Sequence, residues 1–172
     1  MLKIIKSISN LHLLTILLFL AACQPKNKAT ETKEIRVTDT IEVCHTFSID
    51  SAALSIQQVL SAQLEGWNKG SVDSFMMGYW NSESLKFITK NGIKFGYQTV
   101  SDNYKKSYPN KEAMGELMFD NLAFTSLTDR NDIINVTGKW HVKHHGEMSE
   151  GLFSLIFKYT DNDWKIIIDH TW

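Results

Sequence analysis

His170 closes an apolar run at the end of the chain, Trp164-Lys165-Ile166-Ile167-Ile168-Asp169-His170. Strand alternation puts it on the face that carries Trp164, Ile166 and Ile168. With that face turned inward, its imidazole stands at the mouth of the interior, where it can act as acid or base near neutral pH. Asp169 then points the other way, toward a structural ion pair or a backbone amide. Tyr79 and Asp120 are the groups that could work with His170. Tyr79 sits where a short helix meets the first strand, and Asp120 shares a strand face with Glu116, Met118 and Leu122. Alternation alone leaves open whether these acids face in or out. His141, His144 and His145 do not make a metal site. On a strand, His141 and His145 share a face about 13 Å apart and His144 turns away. Three imidazoles at about 2.1 Å from one zinc cannot be assembled from that segment. Gly151-Leu152-Phe153-Ser154 is only half of a nucleophile elbow. Phosphate-loop and dinucleotide fingerprints do not occur. The sequence therefore points to no metal and no cofactor.

Cys23 belongs to a different chemistry. Lys3 and Lys6 precede an apolar stretch from Leu11 to Leu20, interrupted by His12 and Thr15 and followed by Ala21 and Ala22. A basic start, a short apolar run and small residues form a secretory signal, too short for a span of about 20 apolar residues. Leu20-Ala21-Ala22-Cys23 resembles a bacterial lipobox, which implies lipidation of Cys23 and a membrane tie through it. Gln24 stands where an inner-membrane-retained lipoprotein often has Asp, so the resemblance implies the outer membrane. The expected division is a leader over residues 1–22, a polar tether over 23–48 and a domain over 49–172. Cys44 falls in the tether, where nothing orients a nucleophile.

The elements that must position the interior residues follow from periodicity. Of the 172 residues, 43% are hydrophobic and 22% charged, which is globular composition. Lys plus Arg is 18 against 19 acids, so there is no basic footprint for nucleic acid. With 2 Cys, neither a disulfide framework nor a thiolate zinc finger is available. Asp50 or Ser51 caps a first helix through Leu54, Ile56, Leu60, Leu64 and Trp67, and Gly70 ends it. Ser71 opens a short second helix, Asn91-Gly92 turns a hairpin, and Gly96 to Tyr104 is a third helix. From Glu116 onward the chain reads as strands: 116–127, 132–143, 151–159 and 164–171. Helices followed by an antiparallel meander make an α+β plan.

Trp67-Asn68-Lys69-Gly70-Ser71-Val72-Asp73-Ser74-Phe75-Met76 resembles the W-N-x-G-D-x-x-x-F start of nuclear transport factor 2-like domains, closest to their SnoaL-like and small uncharacterised bacterial branches. Val136-Thr137-Gly138-Lys139-Trp140, Gly151 to Phe157 and Asp163 to Thr171 extend the resemblance over about residues 50–172. Ser71 departs from the usual Asp at a surface turn. The resemblance implies a cone: three N-terminal helices packed on a strongly bent antiparallel sheet, with a pocket between. It also implies that the sheet is a dimerisation face, as in many members. In the steroid-isomerase branch an inward carboxylate lies on the first strand, but Leu85-Lys86-Phe87-Ile88-Thr89 has none. Trp67, Met76, Tyr79, Trp80, Phe87, Tyr104, Met118, Trp140 and Phe153 suit the lining of an apolar pocket with few polar handles. The expectation is a lipid-anchored domain that binds a small apolar or amphipathic ligand. Two alternatives stand beside it: an enzyme of cyclase, isomerase or hydrolase type using His170, and a dimerising interaction module.

Overall fold

The computed structural model describes residues 45–172, and the leader, Cys23 and Cys44 lie outside the described residues. The first helix, α1 (Ile49–Asn68), starts earlier than expected and is capped not by Asp50 or Ser51, which lie in its first turn, but by Ser48, whose hydroxyl accepts from the Ser51 N–H at 3.1 Å. Ala52, Ile56, Leu60, Gln63 and Trp67 recur at steps of three and four and are buried. Gly70, at φ 82°, takes the left-handed position that ends the helix. Ser71 caps the short α2 (Val72–Met76). Strands β1 (Lys86–Thr89) and β2 (Gly92–Phe95) form the expected hairpin. Then come α3 (Tyr97–Ser107), α4 (Lys111–Met114), β3 (Glu116–Ser126), β4 (Ile133–His144), β5 (Glu147–Thr160) and β6 (Asp163–Thr171).

Three helices were expected and four are present among the described residues. The fourth is one turn long, started by the Asn110 side chain accepting from the Ala113 N–H at 2.9 Å. A four-residue helix has no room for a readable apolar period. The domain also begins before residue 49. The Phe47 N–H donates to the Arg130 carbonyl at 2.9 Å, and its ring packs 4.7 Å from Tyr159 and 5.3 Å from Trp164. The last residues assigned to the tether are therefore part of the packed layer.

The six strands form one sheet in the order β2-β1-β6-β5-β4-β3. All neighbours are antiparallel except β1 and β6, which run parallel. The inner face carries Phe87, Leu117, Ile134, Val136, Phe153, Leu155, Phe157, Trp164 and Ile166, all buried with the helices. Two bulges interrupt it. On β3 the register shifts between Asp120 and Ala123, with Asn121 at φ 53°. A Cβ on the opposing Gly138 would lie 2.6 Å from Phe153 Cζ and 2.8 Å from Leu122 Cδ2, so only glycine fits there. On β6, Ile166 pairs with Phe157 but Ile168 with Ile156, which leaves Ile167 as an extra residue. Bulges of this kind bend and twist a strand, and here they curve the sheet around the helices.

Candidate functional site

The β6 bulge decides which polar group faces inward. Up to Ile166 the buried face holds Trp164 and Ile166. One extra residue at Ile167 reverses the alternation, so the next buried side chain is Asp169. His170 therefore stands on the outer face, exposed, opposite Ser154 and Ile88 and 4.6 Å from the Trp172 ring. This corrects the expected orientation. Ile166-Ile167-Ile168 has no polar residue to mark the parity, so nothing in the sequence signalled the slip.

Asp169 is 3% exposed, between Leu155 of β5 and Phe87 of β1. The carboxylate missing from the first strand is thus supplied by its neighbour, level with Phe87. The Tyr79 hydroxyl donates to Asp169 Oδ2 at 2.7 Å, and the Thr171 hydroxyl donates to Oδ1 at 2.7 Å. Tyr79 is held by the backbone around it. Gly78 O accepts from the Ile166 N–H and the Trp80 N–H donates to Ile166 O, both at 2.9 Å, so the 78–80 segment runs along β6. Gly78 has to be glycine, because a Cβ there would lie 2.6 Å from Gln63 Cδ.

The surroundings of the pair are aromatic. The Phe75 ring lies 5.7 Å from Tyr79 and 5.2 Å from Tyr104, and Phe87 lies 5.5 Å from Tyr104. Loss of solvent raises the Asp169 carboxyl above its usual range, against the two hydroxyl donors and the His170 charge, which pull it down. Burial likewise drives the Tyr79 hydroxyl well above the ordinary phenol range, and the Asp169 charge adds to it. Tyr104 is raised in the same way, first by burial and then by Asp169. A carboxylate and phenols whose proton affinities are set by one shared apolar environment can hold a ligand hydroxyl or exchange a proton with it.

Asp120 does not join this group. Its carboxylate lies on the outer face, half exposed, 2.9 Å from His141 Nε2. The other ring nitrogen of His141 lies 3.2 Å from Glu150. Asp120 therefore belongs to a surface chain of polar contacts across β3, β4 and β5, away from Tyr79. Met118 is also on the outer face, 42% exposed, because it alternates with the inward Leu117 and Phe119. Trp67, Met76, Tyr79, Phe87 and Phe153 are buried in the core, while Trp80, Tyr104 and Trp140 are half-buried. Of the expected lining, the structure brings Tyr79, Tyr104 and Phe87 around Asp169. Asp169 and Thr171 were not expected there. Two surface hollows are defined, one between α1 and the start of β6 and one along α1, and neither is bordered by Asp169. Among the described residues no three His, Cys, Asp or Glu side chains could hold a metal.

No protein-family model and no curated protein matches the chain. Solved structures do. An NTF2-like protein of unknown function from Shewanella oneidensis is 34% identical, over 69% of this chain and 97% of its own, with a TM-score of 0.65. An NTF2-like superfamily protein from Salmonella enterica is 16% identical, over 73% and 92%, with a TM-score of 0.57. A domain of unknown function with a cystatin-like fold from Nostoc punctiforme is 18% identical, over 73% and 78%, at 0.59. The last two are similar in fold alone.

Proposed function

The chain belongs to the nuclear transport factor 2-like superfamily, and from that premise we propose that it is an envelope lipoprotein, tied to the membrane through Cys23, whose inner sheet face binds a small, largely apolar molecule. The observation that carries this is the buried Asp169. A carboxyl group placed among Phe75, Phe87, Tyr79 and Tyr104 is costly to desolvate, and a purely structural core gains little from it. A few polar groups converging within an aromatic lining are what a ligand site requires. Half-buried Phe119, Leu122, Phe124, Trp140 and Val142 continue the apolar surface on β3 and β4. The outward imidazole of His170 removes it from the interior chemistry, and any proton transfer there falls to Asp169.

Native mass spectrometry of the full-length protein extracted from its own envelope tests this. The expected spectrum shows the acyl mass on Cys23 and a non-covalent adduct lost on denaturation. Bare, unacylated protein without an adduct contradicts both parts.

A second role is favoured by the outer sheet face, where Ile93, Phe95, Met118, Leu152 and Trp172 are exposed. Exposed apolar side chains mark an association surface where they lie together, as Leu152 and Trp172 do on neighbouring backbone, and we propose self-association of two copies through this face. Light scattering at micromolar concentration should give a dimer mass that Leu152→Lys reduces to the monomer. A monomer mass for the unaltered chain contradicts it.

A further inference from the structure

The hairpin of β1 and β2 lies in a stretch set apart by charge. Residues 85–111 carry six lysines against one acid, Asp102, while the rest of the chain carries 12 bases and 18 acids. β2 is an edge strand of the sheet. Its pairing puts Lys86 opposite Phe95 and Ile88 opposite Ile93, and directly opposed residues share a face. Phe87, between Lys86 and Ile88, is buried on the inner face, so Lys86, Ile88, Ile93 and Phe95 stand on the outer one. There Ile93 and Phe95 are 55% and 54% exposed. Lys86 is exposed beside them, and Lys90 is exposed at the turn. Neither lysine has an acid within ion-pair distance among the described residues, whereas Lys69, Arg130 and Lys165 each have one. The carboxylate of Glu83 reaches Gly96, past the end of β2 that is away from the turn. At the turn, Gly92 has open space where a Cβ would stand.

We propose that this hairpin rests on an anionic lipid surface, with Ile93 and Phe95 entering the headgroup layer and Lys86 and Lys90 meeting lipid phosphates. Apolar side chains flanked by unpaired lysines match such a surface on both counts, burial and charge. The lysine stems can lie along the apolar pair while their ammonium groups stay among the headgroups. This contact goes beyond the membrane tie through Cys23 and does not depend on it. It is also separate from the end of the face proposed for self-association, since Leu152 lies on β5, three strands from β2.

The test is acetylation of lysines in the full chain, read site by site by mass spectrometry. It is run with vesicles of phosphatidylcholine alone and of equal parts phosphatidylcholine and phosphatidylglycerol. Acetylation of Lys86 and Lys90 should fall about fivefold on the anionic vesicles, the preference that one lysine near such a surface confers. Lys143, exposed at the end of β4, should react equally on both. Ile93→Ser combined with Phe95→Ser, both at exposed positions, should abolish the protection and leave thermal unfolding unchanged. Equal reactivity of Lys86 and Lys90 on the two vesicles, or protection that the double variant keeps, overturns the proposal. Protection that appears without vesicles as protein concentration rises assigns the hairpin to self-association and overturns it too. An unacylated Cys23 would remove the tie proposed above and leave this result standing.

Discussion

Asp169 is the residue on which the chemistry turns, and its protonation gives a signed test. Its carboxyl is raised by burial, so the native state holds the proton more tightly than the unfolded chain. The contribution of this group to stability is therefore full below about pH 4, near the unperturbed value of 3.8, and falls as pH rises through the raised pKa. Asn has no proton to lose. The stability of the unaltered protein relative to Asp169→Asn, from urea denaturation, should fall as pH rises above the unperturbed value of 3.8. A difference that stays flat as pH rises contradicts the burial argument. Tyr79→Phe removes one of the two donors to the carboxylate and should cost about 1–3 kcal/mol at neutral pH. A loss below the resolution of denaturant titration would mean that the 2.7 Å bond is not sustained in solution. Tyr79 could be singled out from the sequence because it sits at a junction between elements. Asp169 could not, because its inward direction depends on an extra residue hidden in three consecutive isoleucines.

At the scale of elements, most helices and strands follow local rules that the chain displays, though the cap of α1 lies two or three residues before the expected Asp50 or Ser51. Ser48 caps α1 through its hydroxyl, and Ser48→Ala should lower stability by about 1 kcal/mol. Thermal unfolding that does not change would show that the Asp50 and Ser51 side chains suffice. Both tight hairpin corners are also legible. His145 and Gly146 at φ 50° and 86°, and Asp161 and Asn162 at φ 53° and 61°, turn the chain between β4, β5 and β6. Such paired left-handed residues match the twist of the strands they join. The bulges are less legible, since each is a relation between two strands. Gly138 is the partner that admits the β3 bulge, and Gly138→Ala should cost about 1–3 kcal/mol, because its methyl would meet Phe153, Leu122 and the Asp120 carbonyl. Unchanged stability would mean that β3 can shift to make room. Met118 was misplaced, and the direction of Asp120 stayed open, because one inward or outward assignment moves every residue of a strand segment together.

For the whole molecule, the two faces of the sheet differ in kind. The inner one packs the helices and holds the Tyr79–Asp169–Thr171 group, and the outer one carries His170, Leu152 and Trp172. The plan of helices followed by a meander was readable from the order of periodic segments, and the family from the Trp67–Met76 stretch. Which face would hold the polar group was not, because it follows from the curvature that the bulges impose. The most direct measurement is the carboxyl carbon-13 resonance of Asp169, followed together with the His170 ring signals as naphthalene, a small apolar probe, is added to saturation. A ligand inside the curve of the sheet moves the Asp169 signal and leaves the His170 ring where it was. Movement of His170 with a stationary Asp169 would put the ligand on the outer face and contradict the site.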